Sequence, residues 1–249
     1  METLFAGRQA IRLESVDSTN DFALRWIKEN PFHEGLLVVA EEQKAGKGQM
    51  GNRWESEKGK NLLFSLVVKP SFLPAGKQFY LSKITALAIK DTIQKQLEEV
   101  MIKWPNDIYC RGKKIAGILI ENRFSGENIT ASVIGAGINV NQVFAAAEKA
   151  ISLQSLTGRE TNRELLLEEF CSHFEGYYLA LRSGKRDEIN GLYLSSLLNF
   201  GSETRYRDAK GEFTGIIRSI AEDGRAEVWN KEKNAATWYD IKELVWVNE

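Results

Sequence analysis

The sequence predicts an α+β protein with two domains, and three observations support this prediction. Between residues 10 and 140, short β-rich apolar runs alternate with amphipathic helical patterns. Between residues 162 and 198 the periodicity is helical, and Leu, Phe and Tyr are frequent. From residue 199 onward, turns separate five short β-rich runs. We therefore expect a large mixed domain over residues 1–198 and a small β-module over residues 199–249.

The large domain is predicted to begin with a strand over residues 10–16. The next segment, Ser18-Thr19-Asn20-Asp21, is typical of a capping box, so a helix is expected to start there. Apolar spacing from residue 79 to residue 97 predicts a long amphipathic helix. The other predicted elements are strands over 36–40, 62–68, 101–104, 108–110, 115–121 and 129–136 and helices over 162–182 and 186–198.

The small domain is predicted to contain only strands. Gly-containing turns, such as Asp208-Ala209-Lys210-Gly211 and Glu222-Asp223-Gly224, punctuate this part of the chain. Five short strands in some 50 residues fit a small β-barrel. The expected strands cover residues 203–207, 213–220, 225–229, 236–239 and 243–247.

Composition and charge exclude several classes of function. The 249 residues contain 33 Lys and Arg against 34 Asp and Glu, so no overall positive charge favours nucleic acid. No apolar run approaches the roughly 20 residues that cross a bilayer, so we expect no membrane association. The N-terminus lacks a signal-peptide pattern, and we expect the protein to be cytoplasmic.

Cysteine and histidine are too sparse for several kinds of chemistry. Cys110 and Cys171 lie far apart in unrelated contexts, which argues against a disulfide framework or a thiolate metal site. His33 and His173 have no second ligand at metal-binding spacing, so both are interpreted as structural. Without a suitable histidine, acid–base catalysis would fall to Lys, Asp or the substrate itself.

A glycine-rich, cationic loop follows the second predicted strand. Gly46, Gly48 and Gly51 allow close backbone approach to a ligand, and Lys47 and Arg53 add positive charge. The spacing matches neither a Walker loop nor the dinucleotide fingerprint. The loop therefore indicates either an anion-binding site or a mobile surface hairpin.

Two further motifs place an acid and a base near each other in sequence. In Lys103-Trp104-Pro105-Asn106-Asp107, the proline stiffens the corner and would hold Asp107 in place for proton transfer with an incoming amine. The alternative is an ordinary Asn-Asp turn with Trp104 in the core. Lys114 enters the apolar run 115–120, where its ammonium needs either an anionic partner or a path to solvent.

A last motif, Gly135-Ala136-Gly137-Ile138-Asn139-Val140-Asn141, lies at the end of the predicted strand over residues 129–136. Its glycines permit close packing, and Asn139 could present its amide to a purine edge. Together, the glycine-rich loop and the motifs of Asp107 and Lys114 indicate a site that holds an anionic, phosphate-bearing reactant and moves protons beside it.

In this order, the motifs resemble those of the biotin–protein ligase catalytic core. The resemblance extends from Ser15 to about residue 247 and begins with Asp17-Ser18-Thr19-Asn20. It implies a catalytic domain with a seven-stranded mixed sheet, followed by an SH3-like barrel. The short segment before residue 15 leaves no room for the winged-helix domain of bifunctional members, so no DNA binding is expected.

The resemblance also implies a two-step reaction. The carboxylate of biotin would attack the α-phosphorus of Mg-ATP and give biotinyl-5′-adenylate. The ε-amine of a lysine on a biotin carboxyl carrier domain would then attack this mixed anhydride. Biotin and ATP are thus the expected substrates, Mg²⁺ the expected ion and a biotin-dependent carboxylase the expected partner; a homodimer is possible.

The family's functional residues map onto the motifs by position. Lys114 would neutralise charge during adenylation, and Asp107 would orient or deprotonate the acceptor amine. No protein ligand to a metal is implied. The biotin-binding positions are Ser18, Thr19, Gln43, Gly46, Lys47, Gly48, Trp54, Lys114, Gly117 and Gly135. The ATP and adenylate positions are Lys47, Gly48, Gln49, Met50, Gly51, Asn52, Arg53, Trp54, Lys103, Asn106 and Asn139.

The loop departs from the family pattern, in which arginines stand where this chain has Lys47, Gln49 and Asn52. Lysine keeps the charge but loses the bidentate fork of arginine. The hypothesis is a weaker grip on the adenylate phosphate, with more reliance on Lys114 and Arg53. Two alternatives are a lipoate ligase or octanoyltransferase of the same fold, and a protein that only senses biotin or its adenylate.

Overall fold

The computed structural model describes residues 3–247, which form two β-sheets and five α-helices. The larger sheet has seven strands in the order β1-β2-β3-β7-β6-β5-β4. β1 and β2 are parallel, and every other neighbouring pair is antiparallel. The sheet is therefore mixed, as the resemblance implies. The strands are Ala10–Leu13 (β1), Leu36–Ala40 (β2), Leu62–Val68 (β3), Val100–Lys103 (β4), Asp107–Cys110 (β5), Lys113–Ser125 (β6) and Asn128–Ile138 (β7).

Helices cover both faces of this sheet. On one face, Ala23 and Ile27 of the first helix pack against Val38 and Val67. On the other face, Phe64 contacts Phe170 with ring centroids 4.7 Å apart. The central strands can be apolar at every position because both faces are buried. The helices are Thr19–Glu29 (α1), Phe79–Gln94 (α2), Leu153–Thr157 (α3), Arg163–Arg182 (α4) and Arg186–Ser195 (α5).

Three glycines lie on the face of the sheet that α1 covers. Gly137 of β7 stands opposite Gly117 of β6, and Gly135 stands between Ser65 and Leu119 on the flanking strands. Residues directly opposite each other in a sheet project to the same face. The missing side chains leave a depression beside the N-terminus of α1.

The smaller sheet is antiparallel, with the strand order β11-β10-β9-β8-β12. β11 and β12 are its edges, and no pairing between them is seen within residues 3–247. The predicted small five-stranded β-domain is confirmed, and its closure into a barrel stays a prediction. β12 has only two residues, which limits its pairing to β8. The strands are Thr204–Asp208 (β8), Gly211–Ile220 (β9), Ala226–Asn230 (β10), Ala235–Tyr239 (β11) and Val245–Trp246 (β12).

The turn between β9 and β10 fixes the small sheet against the large one. The indole Nε1 of Trp104 donates to the Gly224 carbonyl at 2.9 Å. Gly224 has a φ of +101°, and a Cβ there would lie 2.6 Å from the ring of Phe79. Trp104 is thus in the core, and the hydrophobic cluster is continuous across both sheets.

Most predicted elements are confirmed, with shifted ends. The final helix stops at Ser195, short of the predicted residue 198, because the following chain pairs with the edge strand β4. Ile102 donates its N–H to the Ser196 carbonyl, and Leu198 donates to the Ile102 carbonyl, both at 2.8 Å. The short helix α3 was not predicted. Within residues 3–247, no helix is both long and apolar enough to span a membrane.

Candidate active site

One pocket gathers most of the residues singled out by the sequence. It opens where the N-terminus of α1 meets β6, β7 and the glycine-rich loop. Its wall combines backbone from the glycine strands with polar side chains from α1 and the loop. The lining residues are Ser18, Thr19, Asn20, Gln43, Lys47, Gly48, Gln49, Trp54, Asn106, Lys114, Gly117, Ile118, Leu119, Gly135, Ala136 and Gly137.

The first turn of α1 supplies the polar end of the pocket. Ser18 is the N-cap, and its Oγ accepts from the N–H of Asp21 at 3.4 Å. The Oε1 of Gln43 accepts from the backbone N–H of Thr19 at 2.7 Å and from its hydroxyl at 3.0 Å. Because Oε1 is committed to Thr19, the amide nitrogen of Gln43 remains to donate to a ligand.

The glycine-rich loop folds back on itself as a closed hairpin. Lys47 and Arg53 form an antiparallel bridge, and the N–H of Gly48 donates to the Asn52 carbonyl at 2.7 Å. A 3₁₀-helix over Gln49–Gly51 forms the tip, where Gly51 has a φ of +80°. The loop is therefore ordered by its own backbone. Met50 has its backbone in this 3₁₀-helix, and its side chain lies outside what the structure describes.

Lys47 is tied to α1 by an ion pair. Its Nζ lies 2.6 Å from Oδ1 of Asp21, and both side chains are partly exposed. The hydrogen bond to Asp21 is the main reason that the pKa of the Lys47 ammonium is raised. Lys47 would have to leave Asp21, or share it, to reach a phosphate.

Trp54 covers the glycine strands. A Cβ at Gly137 would lie 2.4 Å from Cε2 of Trp54, and a Cβ at Gly117 would lie 3.0 Å from its Cζ3. The indole therefore packs against the strands at positions where only glycine, which has no Cβ, leaves room for it. Its Nε1 lies over Gly137 and is buried without a hydrogen-bond partner among the described residues.

Asp107 and Lys114 form the charged pair of the site. Lys114 Nζ lies 2.7 Å from Asp107 Oδ1, and 5.5 Å from the centre of the Trp54 ring. β5 and β6 are neighbours, and a bulge after Ile108 brings Lys114 opposite Tyr109. The alternative in which Lys114 only reaches solvent is wrong, because its ammonium meets an anion within the protein.

The remaining predicted residues are placed around the pocket or away from it. Asn106 lines the pocket, and its Nδ2 donates to the Ile118 carbonyl at 2.6 Å. Asn139 is buried behind the pocket wall, where its N–H donates to the Ile115 carbonyl at 2.8 Å.

The side chain of Lys103 points away from the pocket. Its Nζ lies 5.0 and 5.6 Å from the ring centres of Tyr109 and Trp246. Gly46, Gly51, Asn52, Arg53 and Asp107 adjoin the pocket without lining it.

Sequence reasoning missed several residues that shape the pocket. Asn20 lines it, and a Cβ at Gly135 would lie only 2.3 Å from the Asn20 Oδ1. Ser65 lies behind Asn20, fully buried. A signal for Ser65 was present, since it is the single polar residue in the strand Leu62–Val68.

The described residues hold no cluster of three or more His, Cys, Asp or Glu that could bind a metal ion. The two cysteines in this part of the chain are free and buried.

The part of the chain that forms the pocket and its Lys–Asp pair is matched by a known family of protein ligases. The model of the biotin/lipoate A/B protein ligase family matches residues 13–139. The chain belongs to this family. The match covers α1, the loop, and the strands that carry Asp107, Lys114 and the three pocket glycines.

Among the relatives, the similarity is to biotin ligases in particular. The bifunctional ligase/repressor BirA of Bacillus subtilis is 32% identical over 230 residues, covering 90% of this chain and 70% of the relative. The biotin–acetyl-CoA-carboxylase ligase of Paracoccus denitrificans is 31% identical over 224 residues, covering 85% and 90%. A solved biotin protein ligase from Aquifex aeolicus, in complex with biotin and ATP, has a TM-score of 0.78 at 26% identity, covering 96% and 98%.

Proposed function

We propose that this protein is an ATP-dependent biotin–protein ligase. It activates biotin as biotinyl-5′-AMP and transfers the biotinyl group to a lysine of a biotin carboxyl carrier domain. The observation that carries the proposal is the Lys114–Asp107 ion pair at a pocket floored by glycines. The similar enzyme from Aquifex aeolicus was solved with biotin and ATP, which supports both substrates.

The bicyclic end of biotin fits the polar end of the pocket. Ser18, Thr19 and Gln43 line that end and offer both hydrogen-bond donors and acceptors. Trp54 supplies an apolar, aromatic cover over the glycine strands. Gly117 and Gly135 let the ligand lie against the backbone, because no side chain rises from the sheet at these positions.

Lys114 serves the first step. A carboxylate oxygen of biotin forms a bond to the α-phosphorus, and the bond from that phosphorus to the bridging oxygen of pyrophosphate breaks. Negative charge collects on the phosphoryl oxygens as this happens. A fixed ammonium that faces these oxygens stabilises the transition state more than the separated reactants. Lys47 would add further positive charge once its ammonium leaves Asp21, and Gly48 lets the phosphate approach the loop backbone closely.

Asp107 serves the second step. The acceptor amine, with a pKa of about 10.4, arrives mostly protonated and must lose a proton before it attacks. Asp107 already binds an ammonium at 2.7 Å, so it can hold the incoming one in the same way and accept a proton from it. The amine nitrogen then bonds to the carbonyl carbon of the anhydride, the carbon–oxygen bond to phosphate breaks, AMP leaves, and the second proton of the nitrogen passes to solvent.

Several finer points remain part of the proposal. Mg²⁺ is expected to arrive with ATP, since phosphate oxygens would supply most of its ligands. Weaker retention of the adenylate is expected from the loop substitutions, and Gln49→Arg should slow its dissociation. A homodimer, the absence of DNA binding, the cytoplasmic location and the boundary between residues 198 and 199 stay predictions.

The first experiment is incubation of the purified protein with biotin and Mg-ATP, without acceptor, followed by mass spectrometry for biotinyl-adenylate. Lipoate and octanoate run in parallel as the alternatives within the family. Adenylate from biotin alone supports the proposal. A product from lipoate alone, or biotin binding without adenylate, contradicts it.

Two substitutions separate the two steps. Lys114→Met is expected to lower adenylate formation by a factor on the order of 10²–10³, as for loss of one preorganised electrostatic group. Asp107→Asn is expected to slow transfer from preformed adenylate to a carrier domain more than it slows adenylation. Lys113→Met is the matched control, because the neighbouring lysine points instead to the Ala146 carbonyl at 2.8 Å.

A further inference from the structure

A buried hydrogen-bonded network lies directly behind the polar end of the pocket, and Ser65 is at its centre. Ser65 is fully buried on β3, between Leu63 and Val67 on the α1 face. Its Oγ lies 2.6 Å from the Oδ1 of Asn20 and 2.8 Å from the Oγ1 of Thr19. Ser65 itself is not among the residues that line the pocket.

The direction of the hydrogen bonds in this network follows from Asn20. Its Nδ2 donates to the Leu119 carbonyl at 3.1 Å and to Oε2 of Glu121 at 2.8 Å. The flipped amide would direct an oxygen at a carbonyl and a carboxylate, so Oδ1 must face Ser65. An amide oxygen can only accept. The single proton of Ser65 therefore goes to Asn20.

Thr19 is oriented as a consequence. Its hydroxyl proton has two acceptors within the protein, the Oγ of Ser65 at 2.8 Å and the Oε1 of Gln43 at 3.0 Å. Either acceptor directs the proton away from the pocket, which leaves lone pairs of Thr19 toward a ligand. Gln43, whose oxygen is already occupied, offers N–H donors beside it.

The sheet has no room for other arrangements of Asn20. Gly135 is the register partner of Ser65, and a Cβ at Gly135 would lie 2.3 Å from the Oδ1 of Asn20. The amide is thus pressed against the strand backbone and cannot rotate freely. The donors and acceptors of the pocket wall are consequently fixed before a ligand arrives.

We infer that Ser65 is a positioning residue that sets the selectivity of the pocket for a cyclic urea. The inference rests on the proposed function. An N–H of a ureido ring meets the acceptor on Thr19, and its C=O meets the donor on Gln43. A ring without N–H and C=O groups would leave both protein groups unpaired, which costs affinity. Ser65 acts through Thr19 and Asn20 and does not touch the ligand.

The test is Ser65→Ala, measured by biotin titration and by adenylation kinetics. Without the hydroxyl, the amide oxygen of Asn20 loses its donor, and the Thr19 hydroxyl keeps only the Oε1 of Gln43, at 3.0 Å, to orient it. We expect about tenfold weaker biotin binding, which corresponds to about 1.4 kcal/mol. KM for biotin should rise in parallel, while kcat at saturating biotin and KM for ATP stay near those of the wild type.

Ser132→Ala is the matched control. Ser132 is equally buried in the neighbouring strand β7, and its Oγ has no partner among the described residues. By alternation along the strand it faces away from α1. Its removal should leave KM for biotin unchanged, because a serine-to-alanine change on the opposite face disturbs none of the groups in the network.

A double-mutant cycle distinguishes positioning from general damage. In a Thr19→Ala background, Ser65→Ala should have a much smaller effect on biotin binding, since the two residues act as one unit. Full additivity overturns the inference, as does wild-type biotin affinity in Ser65→Ala or an equal rise of KM for biotin and for ATP. Failure of the wild type to bind biotin in the same titration would instead contradict the proposed function.

Discussion

Replacing the buried Lys83 by methionine is expected to stabilise the protein near neutral pH and to remove part of the pH dependence of its stability. Lys83 lies on α2 and is fully buried. Its ammonium donates to the Oδ1 of Asn190 at 2.7 Å and lies 4.9 and 5.5 Å from the ring centres of Tyr80 and Tyr193. No carboxylate among the described residues forms an ion pair with it.

The magnitude follows from the cost of burying this charge. Desolvation lowers the pKa of Lys83 from 10.5 to about 8, and the charge of Glu222 opposes this only in part. At about 1.4 kcal/mol per pH unit, the difference corresponds to roughly 3 kcal/mol. Between about pH 8 and pH 10.5 the unfolded chain binds more protons than the folded one, so stability rises with pH across this window.

Methionine avoids that cost but gives up the hydrogen bond and the ring contacts, worth roughly 1–2 kcal/mol. Lys83→Met should therefore be more stable than the wild type by roughly 1–2 kcal/mol below pH 8. The advantage should vanish, and then reverse, as pH rises toward 10.5. Urea unfolding at a series of pH values measures the difference directly.

Lys90→Met on the same helix controls for the loss of one positive charge, because the Lys90 ammonium donates to Gln94 at 2.6 Å and lies 3.5 Å from the Asp91 carboxylate. The effect of Lys83→Met on the pH profile should be absent in this control. Parallel pH profiles for Lys83→Met and the wild type would refute the reasoning, since they would mean that burial does not disfavour the charged lysine.

Three further outcomes are expected. Gly137→Ala should displace Trp54 and weaken biotin binding strongly. Gly176→Ala is the control, because Gly176 on α4 has open space around it. Equal biotin affinities of the two variants in a titration would contradict the close packing of Trp54 on Gly137. The buried carboxylate of Glu175 accepts three hydrogen bonds from the backbone N–H groups of residues 4–6, at 2.6 to 3.0 Å. Glu175→Gln should therefore lower the free energy of unfolding, measured in urea, by roughly 2–3 kcal/mol. KM for biotin should not change. Cys171, whose pKa burial raises to about 12, should resist alkylation in the folded protein at pH 8 and react once the protein is unfolded; labelling of the native protein would show that the helix opens readily.

Local sequence signals located the elements that carry the site. The capping box at Ser18 predicted the start of α1, and the structure confirms its N-cap. The strands over 36–40 and 62–68 were predicted with their observed ends, because apolar runs bounded by turn residues leave little freedom. The motifs around Asp107 and Lys114 indicated an acid–base pair, which the bulge between β5 and β6 brings together.

Other features depend on contacts between distant segments. The chain after Ser195 follows the edge strand β4 because that strand offers unpaired backbone groups, which no helical periodicity reveals. The pairing of β12 with β8, Val245 with Arg207 and Trp246 with Tyr206, joins segments that are far apart in the sequence. Lys103 belongs to a functional motif, yet its side chain lies between Tyr109 and Trp246, because the small sheet places an indole there.

The sequence by itself determined the order of the elements and the family, since these depend on residue types and short spacings. It also located the two motifs whose Asp107 and Lys114 form an ion pair in the structure. Only the tertiary structure decided which polar groups meet behind the pocket. Ser65, Asn20 and Glu121 are far apart along the chain, and they meet because sheet register and the approach of α1 bring them to one point. Hydrogen bonds are directional over about 3 Å, so their partners become defined only when the chain is packed.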